Sequence, residues 1–469
     1  MPRFRAILVE DEPSAAQFTT DALEAAGFDV VVYSDALSAQ EHVDSTADLI
    51  DLLVLDRRLP FRSGEAPSDK VGDDLLTAML LKHPDLAAVV FSGHTGFEHL
   101  QFATTERGVV SLGNDAFVFD RVRLFEKGQS LEFDAYVGRV HSALSALQDI
   151  QITGIEPSEL TAHNRRLLRR VAFEFGGSSI DARPLAGGLT DSPVWLCSIE
   201  SHHGSMARVV AKRQIKTREP GGFQDLCPAQ ITAGVVGTIR GFCGGFYVTI
   251  QQLVGSNPVP LLELIVTDEE AAVAATTVLR DSLGQMSIGQ RVNVSVEEIG
   301  APFAPWSTVV ERGASFGIKV PPGSRIAATS SAPRHGDLHP GNVLVADGHP
   351  VIIDFDSQTS GSQLIDVLTL QLGPLFHPDS PLFGAEWPTI DQCEQFGTDA
   401  FLDDCPAPDY FALLADWSDQ SCTSVRELSA LVLAYAVRQL KYADILGNDL
   451  TRSRAVAIAR WAAARLDSD

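Results

Sequence analysis

The sequence predicts two folds in tandem: an open, doubly wound α/β sheet of five parallel strands, then an α+β region of two lobes. Three observations carry this reading. Over residues 5–148, short apolar runs alternate with amphipathic stretches, the pattern of strands joined by helical crossovers. From about residue 180 the chain turns strand-rich, and beyond Gln251-Gln252-Leu253-Val254 it is mainly helical. At 469 residues it is also too long for one hydrophobic core.

The first five strands are expected at Arg5–Glu10, Phe28–Ser34, Asp51–Asp56, Ala87–Ser92 and Val122–Glu126. Leu52–Leu55 and Ala87–Phe91 are apolar without interruption, as strands buried on both faces must be. Helices are expected at Ser14–Ala26, ended by Gly27, and at Gly72–Lys82, ended by His83-Pro84. A helix over Asp134–Leu147 closes this first domain, 1–150. A linker helix occupies 151–178, capped by Ser158 and stopped by Gly176-Gly177. The remainder, 179–469, divides into a small lobe (179–254) with strands at Ala182–Leu185, Val194–Glu200 and Ala207–Lys212, and a large lobe (255–469).

Composition narrows the partners. The formal net charge of −25 repels duplex nucleic acid and anionic membranes, so neither is expected. Met1–Glu10 runs into a strand-like segment without a signal-peptide core. The longest uncharged stretch, Cys243 to Leu262, holds Gln251, Gln252, Asn257 and two prolines, a poor membrane span. A cytoplasmic protein is expected. The six cysteines lack C-x-x-C spacing, which favours buried free thiols over zinc or disulfides.

Two constellations carry chemistry. Glu10 and Asp11 end the first strand and Asp56 ends the third. In an open α/β sheet such ends gather around ligands, and three acids together call for a divalent cation such as Mg²⁺. One carboxylate can then attack a phosphoryl donor. The second constellation is His335-Gly336-Asp337-Leu338-His339-Pro340-Gly341-Asn342, with Ile353-Asp354-Phe355 beyond it. It supplies a base for a hydroxyl and two oxygen ligands for Mg²⁺ on the phosphates of ATP.

Residues 5–148 resemble the flavodoxin-like receiver domain of bacterial response regulators. The resemblance implies that Asp56 is the phospho-acceptor, that Glu10 and Asp11 help hold Mg²⁺, and that Ser92 and Lys127 form the switch pair. Three departures stand out: a lengthened loop from Phe61 to Lys70, a long interval between Ser92 and Lys127, and Gly128 where proline is usual. Residues 180–469 resemble the aminoglycoside phosphotransferase and choline kinase branch of the kinase-like superfamily. There Asp337 matches the catalytic base, Asn342 and Asp354 the Mg²⁺ ligands, and Asp366 the anchor of the catalytic loop. Gly187 and Gly188 match a phosphate-covering hairpin, Lys212 the lysine that grips the phosphates, and Gln251–Val254 the adenine hinge. His335 and His339 read as loop scaffolding rather than metal ligands.

Such a lysine normally pairs with a helix-borne glutamate. Between Pro220 and Leu262 there is no Glu, and Asp225 is the only acid. Asp225 substitutes for it, or the lobe binds nucleotide without turnover. Eleven residues separate Asp354 from Asp366, too few for a peptide-docking activation segment, so a small hydroxyl substrate is expected. From His335 to Val425 there are fifteen acids and no Lys or Arg, which fits a cationic substrate, help with Mg²⁺, or a solvated acidic surface. The expected protein is a two-component response regulator whose receiver, served by a cognate sensor histidine kinase or phosphotransfer protein, controls an ATP- and Mg²⁺-dependent phosphotransferase. A receiver-linked pseudokinase adaptor is the alternative.

Overall fold

The computed structural model describes residues 4–46, 48–83, 85–92, 109–110, 119–126, 130–156, 158, 160–184, 193–204, 206–215, 222–253, 255, 258–286 and 289–468. These form two compact units, 1–217 with 235–253, and 218–234 with 254–469.

The first unit opens with β1 (Phe4–Val9), α1 (Pro13–Ala25), β2 (Phe28–Tyr33), α2 (Ala36–Ser45), β3 (Leu52–Asp56), α3 (Asp69–Lys82), β4 (Ala87–Ser92), β5 (Val122–Glu126) and α4 (Ser130–Gln148). The strands pair in parallel in the order β2-β1-β3-β4-β5, the flavodoxin-like order. Alternation along each strand sends Ala6, Leu8, Leu52, Val54, Ala87 and Val89 into one apolar core. Ile7, Val9, Leu53, Leu55, Ala88 and Val90 enter another, against α2 and α3. Both faces are therefore dry, which is why these strands are apolar throughout.

Two helix starts differ from expectation, each for a capping reason. Ser68 accepts the N–H of Lys70, so α3 begins at Asp69, ahead of Gly72. Gly72 sits where an added Cβ would lie 2.1 Å from the carbonyl oxygen of Arg57, so its bareness lets α3 approach the chain after Asp56. In the 151–178 segment, β6 (Gln151–Thr153) precedes α5 (Ala162–Glu174), and the cap is Thr161, accepting the N–H of Asn164 at 3.1 Å, rather than Ser158.

A second sheet follows, from β7 (Ser179–Pro184), β8 (Val194–Glu200), β9 (Met206–Gln214), β10 (Val235–Ile239) and β11 (Tyr247–Gln252). Its order is β10-β11-β9-β8-β7-β6, so the strand before α5 joins its edge. The inner face of the first sheet, α4, α5 and this second sheet share one continuous core. Polar contacts lock the junction at the strand ends opposite Asp56. Asp51, just before β3, pairs with Arg166 of α5 at 2.9 Å and accepts the N–H of Arg5 at 2.8 Å. Asp85, just before β4, is fully buried and accepts the N–H groups of Gly245 and Cys243. Burial pushes both carboxyls up, opposed by Arg166.

The second unit contains α6 (Leu261–Thr267), α7 (Glu269–Met286), β12 (Gln290–Ser295), α8 (Trp306–Ser315), β13 (Ile326–Arg334), β14 (Val343–Ala346), β15 (His349–Ile352), β16 (Thr359–Gly361), α9 (Leu364–Phe376), α10 (Pro408–Ser421), α11 (Val425–Gln439) and α12 (Asp449–Ser468). Its core centres on α9, buried along its whole length, and on α11. The β12-β13-β16 sheet was not anticipated in this helical region. No described helix is long and apolar enough to cross a membrane. All six cysteines are free thiols, four of them buried.

Candidate functional site

Register builds the acidic site. β1 and β3 run in parallel with Val9 beside Leu55, so the next residues, Glu10 and Asp56, emerge together at the carboxyl ends. Glu10, Asp11 and Asp56 each bring a carboxylate oxygen within 4.8 Å of the others, and Glu10 and Asp56 are buried. Like charges that close repel strongly in a dry setting. A hard divalent cation with oxygen ligands relieves this, so the donor set fits Mg²⁺. The N–H of Arg58 donates to Asp56 Oδ1 at 3.1 Å and the N–H of Glu12 to Glu10 Oε1 at 3.2 Å, fixing two carboxylates. Arg57 turns to α3, where Asp73 takes two of its N–H groups at 3.0 Å each.

Along the same edge, Asp56 pairs with Phe91 and Ser92 with Glu126. The backbone thus puts Ser92 one step past the partner of Asp56. The Ser92 side chain and Lys127 lie outside the described residues. The lengthened loop is tied down by the N–H of Ser68 to the Leu59 carbonyl at 2.9 Å, and by the N–H groups of Ala36 and Leu37 to Pro60 and Phe61.

The second constellation is built around a buried acid. Asp366, in the first turn of α9, accepts the N–H of His335 at 3.1 Å and of Gly336 at 2.9 Å. Burial pushes its carboxyl up, with His335 foremost among the opposing groups. Gly336 has φ +83°, and a Cβ there would sit 2.1 Å from the Ser357 carbonyl oxygen, so this turn admits only glycine. Asn342 Nδ2 donates to the Asp337 carbonyl at 2.8 Å, and so does the N–H of His339 at 2.9 Å. The β14–β15 hairpin then pairs Val343 with Ile352, and the N–H of Ile353 donates to the Asn342 carbonyl at 2.9 Å. Asn342 and Asp354 consequently flank the open end of one hairpin. Asp354 holds a left-handed backbone (φ 61°, ψ 73°), a strained state for a non-glycine residue that functional sites tolerate. An amide and a carboxylate oxygen at one hairpin mouth fit a Mg²⁺ ion that keeps its remaining waters or phosphate ligands.

Residues 324–398 match the APH family model, a phosphotransferase enzyme family. The match covers the whole constellation and Asp366. No curated protein is significantly similar to the chain. Among solved structures, the N-terminal part is similar to a response regulator receiver domain protein from Clostridium thermocellum, at 17% identity over 30% of this chain and 94% of that one (TM-score 0.23). It is also similar to a response regulator receiver protein from Sinorhizobium medicae, at 24% identity over 30% and 96% (TM-score 0.22). Residues 324–398 are thus similar to the APH phosphotransferase family, and the N-terminal part has a doubly wound sheet in the order β2-β1-β3-β4-β5.

The loop histidines of the APH segment pack as scaffolding. His335 is fully buried, its Nε2 3.0 Å from the Ile353 carbonyl oxygen. His339 accepts the N–H of Gly341 and packs on His377, ring centroids 4.8 Å apart. Burial drives the His339 pKa to about 4 and lowers that of His377, so both rings are neutral. Lys212 lies buried on β9, between Val194 of β8 and Thr249 of β11. It belongs to the first unit, whereas Asp337, Asn342 and Asp354 belong to the second. Gly187 and Gly188 lie outside the described residues. After β9 the first described helix is Phe223–Leu226, four residues carrying Asp225.

One residue at the site had no sequence signal. Arg438, in the last turn of α11, brings Nη2 to 3.5 Å from Asp337 Oδ1. It lies 101 positions beyond Asp337, and near a helix C-terminus an arginine reads as a complement to the helix dipole.

Proposed function

We propose that the chain is a response regulator of a two-component system, with residues 1–150 as the receiver and 179–469 as the output domain. The receiver takes a phosphoryl group on Asp56 from a sensor histidine kinase or phosphotransfer protein, with Mg²⁺ on Glu10, Asp11 and Asp56. Ser92 and Lys127 follow the added charge, and the response biases the phosphotransferase. Within the first unit, the shared core of the first sheet, α4, α5 and the second sheet joins the receiver to the sheet that carries Lys212.

In the output domain, Asp337 accepts the proton of a hydroxyl on a small acceptor, Asn342 and Asp354 hold Mg²⁺, and Lys212 with Gly187 and Gly188 binds the phosphates of ATP. When bound, the metal offsets charge on the transferring phosphoryl group. The observation that carries this reading is the loop itself. Asp366 clamps its entry, Asn342 clamps the Asp337 carbonyl, and the hairpin brings Asp354 alongside. The acidic stretch from His335 to Val425 favours a cationic acceptor.

The test is Mg²⁺-dependent ATP turnover by the full chain, with and without beryllofluoride loading of the receiver. Turnover that changes on loading in the parent, and is unmoved in Asp56→Asn, supports the whole scheme. Nucleotide binding with no turnover in either state replaces it with the pseudokinase adaptor. The four-residue Phe223–Leu226 helix, with no glutamate from Pro220 to Leu262, favours that second reading.

A further inference from the structure

We infer that Arg438 is a positioning residue for Asp337, holding Oδ1 so that Oδ2 is presented to the acceptor hydroxyl. The inference rests on the reading of Asp337 as the base. Two hydrogen bonds to its carbonyl already fix the Asp337 backbone. Its side chain still has a rotatable carboxylate, and the ion pair to Arg438 is what orients it.

Arg438 is well placed to do so. The helix that carries it is buried from Ser429 through Val437, so its backbone cannot drift. One turn earlier on the same face, Tyr435 packs edge-on against Phe303, with ring centroids 5.1 Å apart. The Tyr442 hydroxyl hydrogen-bonds the Arg438 side chain. Burial works against the guanidinium charge, but Asp337 foremost, then Tyr442 and Tyr435, holds its pKa above the usual arginine value. The chain supplies no Lys or Arg from His335 to Val425. Among the described residues, Arg438 is the cation paired with Asp337.

A plain stabilising ion pair is the rival explanation. The two side chains remain 18% and 24% exposed, and pairs open to water contribute little to folding. The chemistry gives the contact a stronger use. In transfer, the acceptor O–H proton moves to Asp337 Oδ2 and the acceptor oxygen forms a bond to the γ-phosphorus. The bond from that phosphorus to the β–γ bridging oxygen breaks, and ADP leaves with the electron pair. With Oδ1 held by Arg438, Oδ2 stays aligned on the acceptor O–H as the proton moves. That alignment is used in the proton-transfer step and not in holding nucleotide, so it raises kcat rather than nucleotide affinity.

The test is steady-state Mg·ATP turnover by the full chain, with water as acceptor, for the parent, Arg438→Ala, Arg438→Lys, Asp337→Ala and the Asp337→Ala/Arg438→Ala double variant. Arg438→Ala is expected to lower kcat by about 100-fold with the KM for ATP unchanged. Arg438→Lys keeps the charge without the fork and recovers about tenfold of that loss. Because Arg438 acts through Asp337, the double variant is expected to be no slower than Asp337→Ala alone. Parental kcat in Arg438→Ala, or a loss in the double variant that multiplies the two single losses, overturns the inference while leaving Asp337 as base. Parental turnover in Asp337→Ala instead overturns the base assignment, and this inference with it.

Discussion

The acidic cluster at the ends of β1 and β3 and the acids around Asp366 meet their surroundings in different ways. At the carboxyl ends of β1 and β3 three acids converge within 4.8 Å, a crowding that calls for a metal. In the second constellation two acids lie apart, each against a different group. Asp366 takes two backbone N–H groups and Asp337 takes Arg438. Crowded carboxylates call for a cation between them, whereas separate partners fix each carboxylate where it stands. The two acids also differ in exposure, since Asp366 is buried and Asp337 is partly open to water.

The comparison breaks most decisively at Asp56. Replacing it with asparagine is expected to abolish phosphoryl incorporation from acetyl phosphate and Mg²⁺, read as the mass of the intact protein. Incorporation elsewhere in the receiver would move the acceptor. The next largest effect is expected at the Asp51–Arg166 pair, because removing Arg166 strands a buried acid. Arg166→Ala should cost about 3–5 kcal/mol in denaturant unfolding of the first unit.

Asp366→Ala leaves the buried N–H groups of His335 and Gly336 without an acceptor, at a cost of about 2–4 kcal/mol. It should also slow any turnover, because the entry of the loop is released. A graded effect of similar size comes from pH, and each unit contains a histidine with a strongly lowered pKa. His83 and His339 both have folded pKa values of about 4, lowered chiefly by burial from an ordinary value near 6.5. A depressed histidine favours folding when neutral. The contribution is therefore complete above about pH 6.5 and is lost as pH falls toward 4. For His339 it amounts to about 3 kcal/mol; for His83, which water partly reaches, it is less. Melting curves between pH 7 and 4 measure it, and His339→Gln should flatten the dependence.

Much of this was readable from residues. The five parallel strands announced themselves because a sheet covered on both faces needs unbroken apolar runs, as in Leu52–Leu55. The H-G-D-x-x-x-x-N spacing was readable because its geometry is local: Gly336 turns, Asn342 reaches back, and a short hairpin returns Asp354. Asp366, which reaches back 30 positions to Gly336, was readable through the family resemblance alone. What escaped depends on long-range packing. Arg438 meets Asp337 only through the tertiary placement of α11. The β12 strand alternates Arg291 and Asn293 with apolar residues and pairs with β13 across more than thirty positions. Thr161 outcompetes Ser158 as a cap because β6 first joins the second sheet and sets where α5 can start.

The central claim is that the loop anchored by Asp366 is a working phosphotransfer site. Its most direct measurement is the rate of γ-phosphoryl loss from Mg·ATP by the full chain and by Asp337→Ala. A fall of about 10²- to 10⁴-fold in the variant is the predicted result. Equal rates in the two proteins would contradict the account.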